Sequence, residues 1–123
     1  MATKVFKLPV VIQSFIDATN EHDANAFINT FANDALVNDA ARSFWGKDSI
    51  KHWGDKEIIG DKVTLKEDEV VEHYGDFIVT GRIDGNYDKS KAPDPLYLDY
   101  FFTVKHDKIV KLIITKNKEK SAR

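Results

Sequence analysis

The sequence predicts an α+β domain in which N-terminal helices lie on one face of a curved antiparallel sheet. Apolar residues recur at helical spacing up to Gly60 and at every second position beyond it. A chain of 123 residues closes one hydrophobic core but not two, so residues 1–123 are read as a single domain. With 42% hydrophobic and 31% charged residues, the composition is that of a globular chain, not a disordered one.

Leu8, Val11, Ile12, Phe15 and Thr19 share a helical face, and Pro9 stands where a first turn needs no N–H, which predicts a helix over 8–21. Asp23 is a good N-cap for a second helix bearing Ala24, Phe27, Ile28 and Phe31, so the two form a helical hairpin. A short strand over 35–38 leads to a loop with Gly46. Asp48 then caps a third helix that carries Ile50 and Trp53 and ends at Gly60. Strands are expected over 62–66, 69–73 and 76–83, the last two joined by a tight turn at Gly75 and Asp76. Residues 84–95 are polar, hold Pro93 and Pro95, and read as a loop. The segments 96–105 and 108–115 make a hairpin across "KHDK", and "KNKEKSAR", 116–123, is expected to be a flexible, basic, solvated tail.

Both faces of that last hairpin are apolar. Leu96, Leu98, Tyr100, Phe102 and Val104 lie on one side, with Tyr97 and Phe101 on the other; Ile109 and Ile113 likewise back onto Val110, Leu112 and Ile114. One helical layer covers one face, so a second copy is expected to hide the other in an isologous homodimer. A monomer would instead offer the face of Tyr100 and Phe102 to a different protein.

A formal charge of −2, with lysines interleaved among acids, supplies no cationic field, so no nucleic-acid partner is expected. Zero cysteines exclude disulfides, thiolate metal sites and a Cys nucleophile, which suits a reducing cytoplasm. The start, "MATKVFKLPVV", has no signal-peptide pattern, and no run of about 18 apolar residues predicts a membrane span. His22, His52, His73 and His106 form no i, i+4 pair, and phosphate-loop and Gly-x-Ser-x-Gly motifs are missing. Neither metal nor cofactor is expected.

The order of "NEHDANAFINTFANDALVND", "GKDSIKHW" and "FFTVKHDKIVKLII" resembles the nuclear transport factor 2-like superfamily, and within it the ketosteroid isomerase-like and SnoaL-like polyketide cyclase branch. The likeness spans nearly the whole chain. It implies a cystatin-like cone, a strongly bent sheet wrapped over the first helix around an apolar pocket, and a small hydrophobic molecule as ligand. It also implies that Asp39 stands where steroid isomerases keep their catalytic aspartate. A carboxylate in that place loses hydration, which raises its pKa and suits it to take a proton. Those isomerases polarise their substrate with a helix-one tyrosine and a protonated aspartic acid on a late strand. Here the first position is Phe15, and the second falls on or near Phe101, with Asp99 two residues away on the same face. Losing one such donor costs roughly 100-fold to 1,000-fold in rate, so steroid isomerisation is not expected.

The expected site is therefore Asp39 as base, with Phe15, Trp53, Tyr97, Asp99 and Phe101 around the ligand and Tyr97, Asp99 or the Trp53 N–H as polarising group. His52 adjoins Trp53 on the helix that should roof the pocket. Each residue also has a plainer reading. Asp39 could form an Asx turn at Ala41 or pair with Arg42, and Asp99 could pair with Arg82. The alternatives for the whole chain are a ligand-binding or accessory module without chemistry, and a protein-interaction domain using the sheet face.

Overall fold

Helices α1 (Val10–Glu21), α2 (Ala24–Ile28) and α3 (Gly46–Trp53) pack on one face of a curved seven-stranded sheet in the computed structural model, which describes residues 2–4 by their backbone and residues 7–121 in full. The strands are β1 (Ala2–Lys4), β2 (Phe31–Asp39), β3 (Arg42–Trp45), β4 (Thr64–His73), β5 (Asp76–Asp84), β6 (Leu96–Lys105) and β7 (Lys108–Lys116), in the order β1-β4-β5-β6-β7-β2-β3. This is the expected α+β cone, with one correction to the pairing. Neighbours are antiparallel except β2 and β7, which run parallel, so the sheet is mixed.

The helical hairpin forms for the reasons its sequence gives. Ile12, Phe15, Ile16 and Thr19 of α1 are buried on one stripe. The helix stops at His22, whose left-handed backbone (φ 56°) lets its N–H reach the carbonyls of Ala18 and Thr19. Asp23 accepts the Ala26 N–H at 3.0 Å and starts α2. That helix is shorter than expected. Phe31 leaves it to open β2 opposite Ile109, yet keeps its side chain fully buried.

Three further elements depart from the expected outline. Residues Ala40 and Ala41 take positive φ (51° and 67°), the two-residue hairpin turn usually built from Asn or Gly, and so create β3 where a loop was expected. Helix α3 begins at Gly46, two residues before Asp48, and runs directly into a π-helical turn (Gly54–Ile59). Strand β4 is continuous across the two segments expected separately, with a bulge at Asp68 absorbing the break in alternation.

The core fills the narrow end of the cone. Phe15 stands at its centre, with ring centroids of Phe27, Phe102, Phe31 and Tyr100 at 5.1, 5.2, 6.0 and 6.2 Å. The Tyr100 and Phe102 face is thus the covered one, with exposures of 3% and 1%. The outer face carries Tyr97, Asp99 and Phe101, beside Ile78, Thr80 and Ile113. The pairing of Asp99 with Arg82 does not form: its Oδ1 accepts from the Thr80 hydroxyl at 2.6 Å and the Asn117 amide at 3.1 Å. In the C-terminal segment Lys118, Glu119 and Lys120 are exposed, while Ser121 is buried and bonds both the N–H and the carbonyl of Tyr97. Residues 122 and 123 lie outside the described residues.

Among the described residues no helix is long and apolar enough to cross a membrane. Because Phe15 joins both helices to β6, Phe15→Ala should cost about 3–5 kcal/mol. Urea unfolding of the variant beside wild type measures this, and a loss below about 1 kcal/mol would contradict the packing described.

Candidate functional site

Asp39 reaches its position through strand register. It pairs with Ile114 of β7, and Ile114 pairs on its other side with Tyr100 of β6. Asp39 and Tyr100 therefore occupy one row of the inner face, two strand spacings or roughly 10 Å apart by their backbones. Both line a cavity of about 160 Å³. Aliphatic side chains of Val63, Ile83, Leu96, Leu98 and Ile114 form one part of its wall, and the π turn closes another with Glu57 and Ile58.

The carboxylate of Asp39 is held on one oxygen. Its Oδ2 accepts the Trp53 indole N–H at 3.1 Å and an Arg42 N–H at 3.1 Å, whereas Oδ1 accepts nothing among the described residues. Burial raises the Asp39 pKa above the ordinary carboxylate value and the Glu57 charge adds to the rise; the Trp53 hydrogen bond and the Arg42 cation oppose it without cancelling it. The side chain is 22% exposed, so the desolvation is partial. Tyr100 has a stronger version of the same effect: burial, then the nearby Asp39 charge, pushes its phenol well up and keeps it neutral. Its hydroxyl makes no hydrogen bond among the described residues.

Arg42 is shared. It donates through both terminal nitrogens to Glu57, at 2.9 and 2.8 Å, and one of these also reaches Asp39. Hydrogen bonding to Arg42 holds the Glu57 carboxyl below the usual range.

The residues expected from sequence divide cleanly. Asp39 faces the cavity and Trp53 supports it, its indole spent on Asp39 and its ring buried. The pairing of Asp39 with Arg42 is also present. Phe15 lies in the aromatic core and does not line the cavity. Tyr97, Asp99 and Phe101 sit on the outer face of β6, because strand residues alternate sides and Leu96, Leu98 and Tyr100 are the ones turned inward. They cannot touch a ligand beside Asp39. His52 is exposed on α3. The cavity-lining residues that the sequence did not single out are Tyr100 and Glu57; β6 is apolar on both faces, so its alternation does not show which side turns inward, and nothing marked Glu57.

Two wider recesses, of about 650 and 720 Å³, flank the exposed Val10 at the start of α1. The first is lined by the start of α1 and residues 67–70 of β4, the second by α1 together with Asn29, Val104 and Lys108. Among the described residues no cluster of His, Asp or Glu could hold a metal ion.

No family model and no curated protein matches the sequence. Solved structures do. The chain is similar to a Sinorhizobium meliloti protein assigned as a polyketide cyclase, at 27% identity over 88% of this chain and 95% of that one, with a TM-score of 0.78. It is similar to a nuclear transport factor 2-like protein of unknown function from Cytophaga hutchinsonii, at 12% identity over 94% and 96%, TM-score 0.71. A Catenulispora acidiphila protein with a ketosteroid isomerase-like fold, in complex with trimethylamine, matches at 16% identity over 89% and 86%, TM-score 0.73.

The raised Asp39 pKa has a sign in stability. The folded state holds this proton more tightly than the unfolded chain, so the carboxyl's contribution is most favourable near or below about pH 4, the unfolded value. It becomes less favourable as pH rises through the folded value. Urea unfolding of wild type and Asp39→Asn at pH 4 and pH 7 should therefore show wild type losing ground to the variant between the two. The opposite trend would mean that the carboxylate is stabilised where it sits.

Proposed function

Starting from a nuclear transport factor 2-like fold in its ketosteroid isomerase-like and SnoaL-like form, we propose that this chain binds a small, mostly apolar organic molecule beside Asp39 and acts on it by cofactor-free proton transfer. One observation carries the reading: two uncommitted polar atoms, Asp39 Oδ1 and the Tyr100 hydroxyl, open into the same apolar cavity. Asp39 is the general base. Its Oδ1 takes a proton from a carbon next to a carbonyl, and the Tyr100 O–H donates to the oxygen on which negative charge develops. Returning the proton to a different carbon isomerises the ligand, and delivering it instead to a β-hydroxyl, whose C–O bond breaks as the enolate collapses, releases water and dehydrates it.

The volume limits the ligand. Pockets for drug-sized molecules run to about 300–1,000 Å³, whereas an apolar cavity of about 150 Å³ holds benzene. At about 160 Å³ the site suits a monocyclic or short-chain molecule and is too small for a steroid. The trimethylamine in the Catenulispora acidiphila relative is a ligand of that scale. Phe15, in place of the helix-one tyrosine, favours the second reading, in which the same cavity binds without chemistry as an accessory module.

The outer sheet face completes the proposal. Leu36, Ile78, Phe101 and Ile113 are only half-buried there, beside a Trp45 that is 69% exposed. A second copy of the chain covers this face in a homodimer, leaving each cavity to its own subunit. The absence of cysteine fits a cytoplasmic location.

A thermal-shift screen of small carbonyl compounds, followed by turnover assays on the hits, tests the function. A ligand at about 100 times its dissociation constant adds roughly 2.7 kcal/mol to stability. Hits should bind wild type, Asp39→Asn and Tyr100→Phe alike, with turnover abolished in the first variant and lowered roughly 100-fold to 1,000-fold in the second. Binding without turnover by wild type selects the accessory reading, and no hit of any size would overturn both. Native mass spectrometry should give twice the chain mass, and Phe101→Lys should give a folded monomer; a wild-type monomer would leave the sheet face to a different protein.

A further inference from the structure

Arg42 has enough donors to grip Asp39 with both terminal nitrogens, and the hairpin turn sets the two residues directly opposite each other. It does not do so. Both terminal nitrogens go to Glu57, at 2.9 and 2.8 Å, its Nε turns to the Asp39 backbone carbonyl at 3.4 Å, and Asp39 receives one shared N–H on Oδ2 at 3.1 Å. The competing carboxylate comes from the π turn, where the widened backbone follows α3 without a break. We infer that Glu57 is a positioning residue for Asp39: by drawing the Arg42 fork onto itself, it keeps Oδ1 free and leaves the carboxylate able to accept a proton. This rests on Asp39 being the base of the cavity.

A bidentate guanidinium would occupy a lone pair on each carboxylate oxygen, Oδ1 included, and would favour the anion strongly. Diverted, Arg42 still orients Oδ2 together with Trp53 but stabilises the anion weakly. Glu57 also acts on Asp39 through its own negative charge, and in the same direction. The other ionisable groups on the cavity wall are Asp61, beyond the π turn, Tyr87, from the segment between β5 and β6, and Tyr100, from β6. None of these three hydrogen bonds to Arg42; the guanidinium also lies over the Phe44 ring, 5.5 Å from its centroid, but Glu57 is the side chain that competes with Asp39 for its hydrogen bonds among the described residues.

The test uses no ligand, so it can fail while the ligand screen succeeds, and the reverse. The Asp39 carboxyl carbon is titrated by NMR in uniformly 13C-labelled protein, with the Trp53 indole N–H as a second probe of the same proton. Glu57→Gln should lower the Asp39 midpoint by roughly one pH unit, because the Arg42 fork becomes available to it. Arg42→Gln should raise the midpoint. In the Arg42→Gln background, the further change Glu57→Gln should produce a clearly smaller fall, since only the field of Glu57 is then removed. A midpoint that Glu57→Gln leaves in place or raises would overturn the inference. So would a fall undiminished in the Arg42→Gln background, which would make Glu57 a distant charge and nothing more. Both side chains lie at the half-open rim, and the exposed Trp45 indole serves as a reference signal that should not follow the titration.

Discussion

The parallel pairing of β2 with β7 is the constraint on which the site depends. It sets Asp39 beside Ile114, and Ile114 beside Tyr100, on the face that looks into the cone. Sheet geometry then fixes which groups can meet. A shift of one residue in either ladder would turn Asp39 or Tyr100 to the outer face, since side chains alternate with a period of two. The register is in turn secured by burial, because Val37, Leu112 and Ile114 must face inward to complete the core. Packing and chemistry therefore rest on the same alignment.

The aromatic cluster around Phe15 decides what is left over. With Phe27, Phe31, Phe102 and the ring of Tyr100 packed together, the deep part of the cone is solid, and the free space is confined beside Asp39. That confinement has two effects. It limits the molecule that fits, and the partial burial of Asp39 and the fuller burial of Tyr100 raise both of their pKa values. Under the proposed function the first is the proton acceptor and the second the neutral donor. A wider pocket would keep more water and give up both properties.

How far the sequence told this in advance depends on which physical signal each feature leaves. The helical hairpin was legible because Ile12, Phe15, Ile16 and Thr19 repeat with the period of a helix and Asp23 is a strong cap. Asp39 was legible from resemblance, with Arg42 close enough in sequence to be named as its partner. The side of β6 was not legible. Residues 96–102 are apolar or aromatic on both faces apart from Asp99, so alternation gives two equivalent sets and no sign for which is inside. Carrying the late-strand position of the resemblance onto or near Phe101 grouped Tyr97, Asp99 and Phe101, which lie on the outer face, and left out Tyr100. The β2–β3 hairpin escaped notice because Ala40 and Ala41 are not residues that announce left-handed turns, and Glu57 because its partner is 15 positions away.

Asp39 and Tyr100 face one recess, and the proposed function requires that it hold a molecule. A crystal soaked in phenol, which carries one hydroxyl on a ring of the right size, tests that most directly. Phenol should sit in the cavity, with its oxygen within hydrogen-bonding distance of Asp39 Oδ1 or the Tyr100 hydroxyl. A cavity closed by its own side chains, or a carboxylate of Asp39 turned outward to solvent, would contradict it.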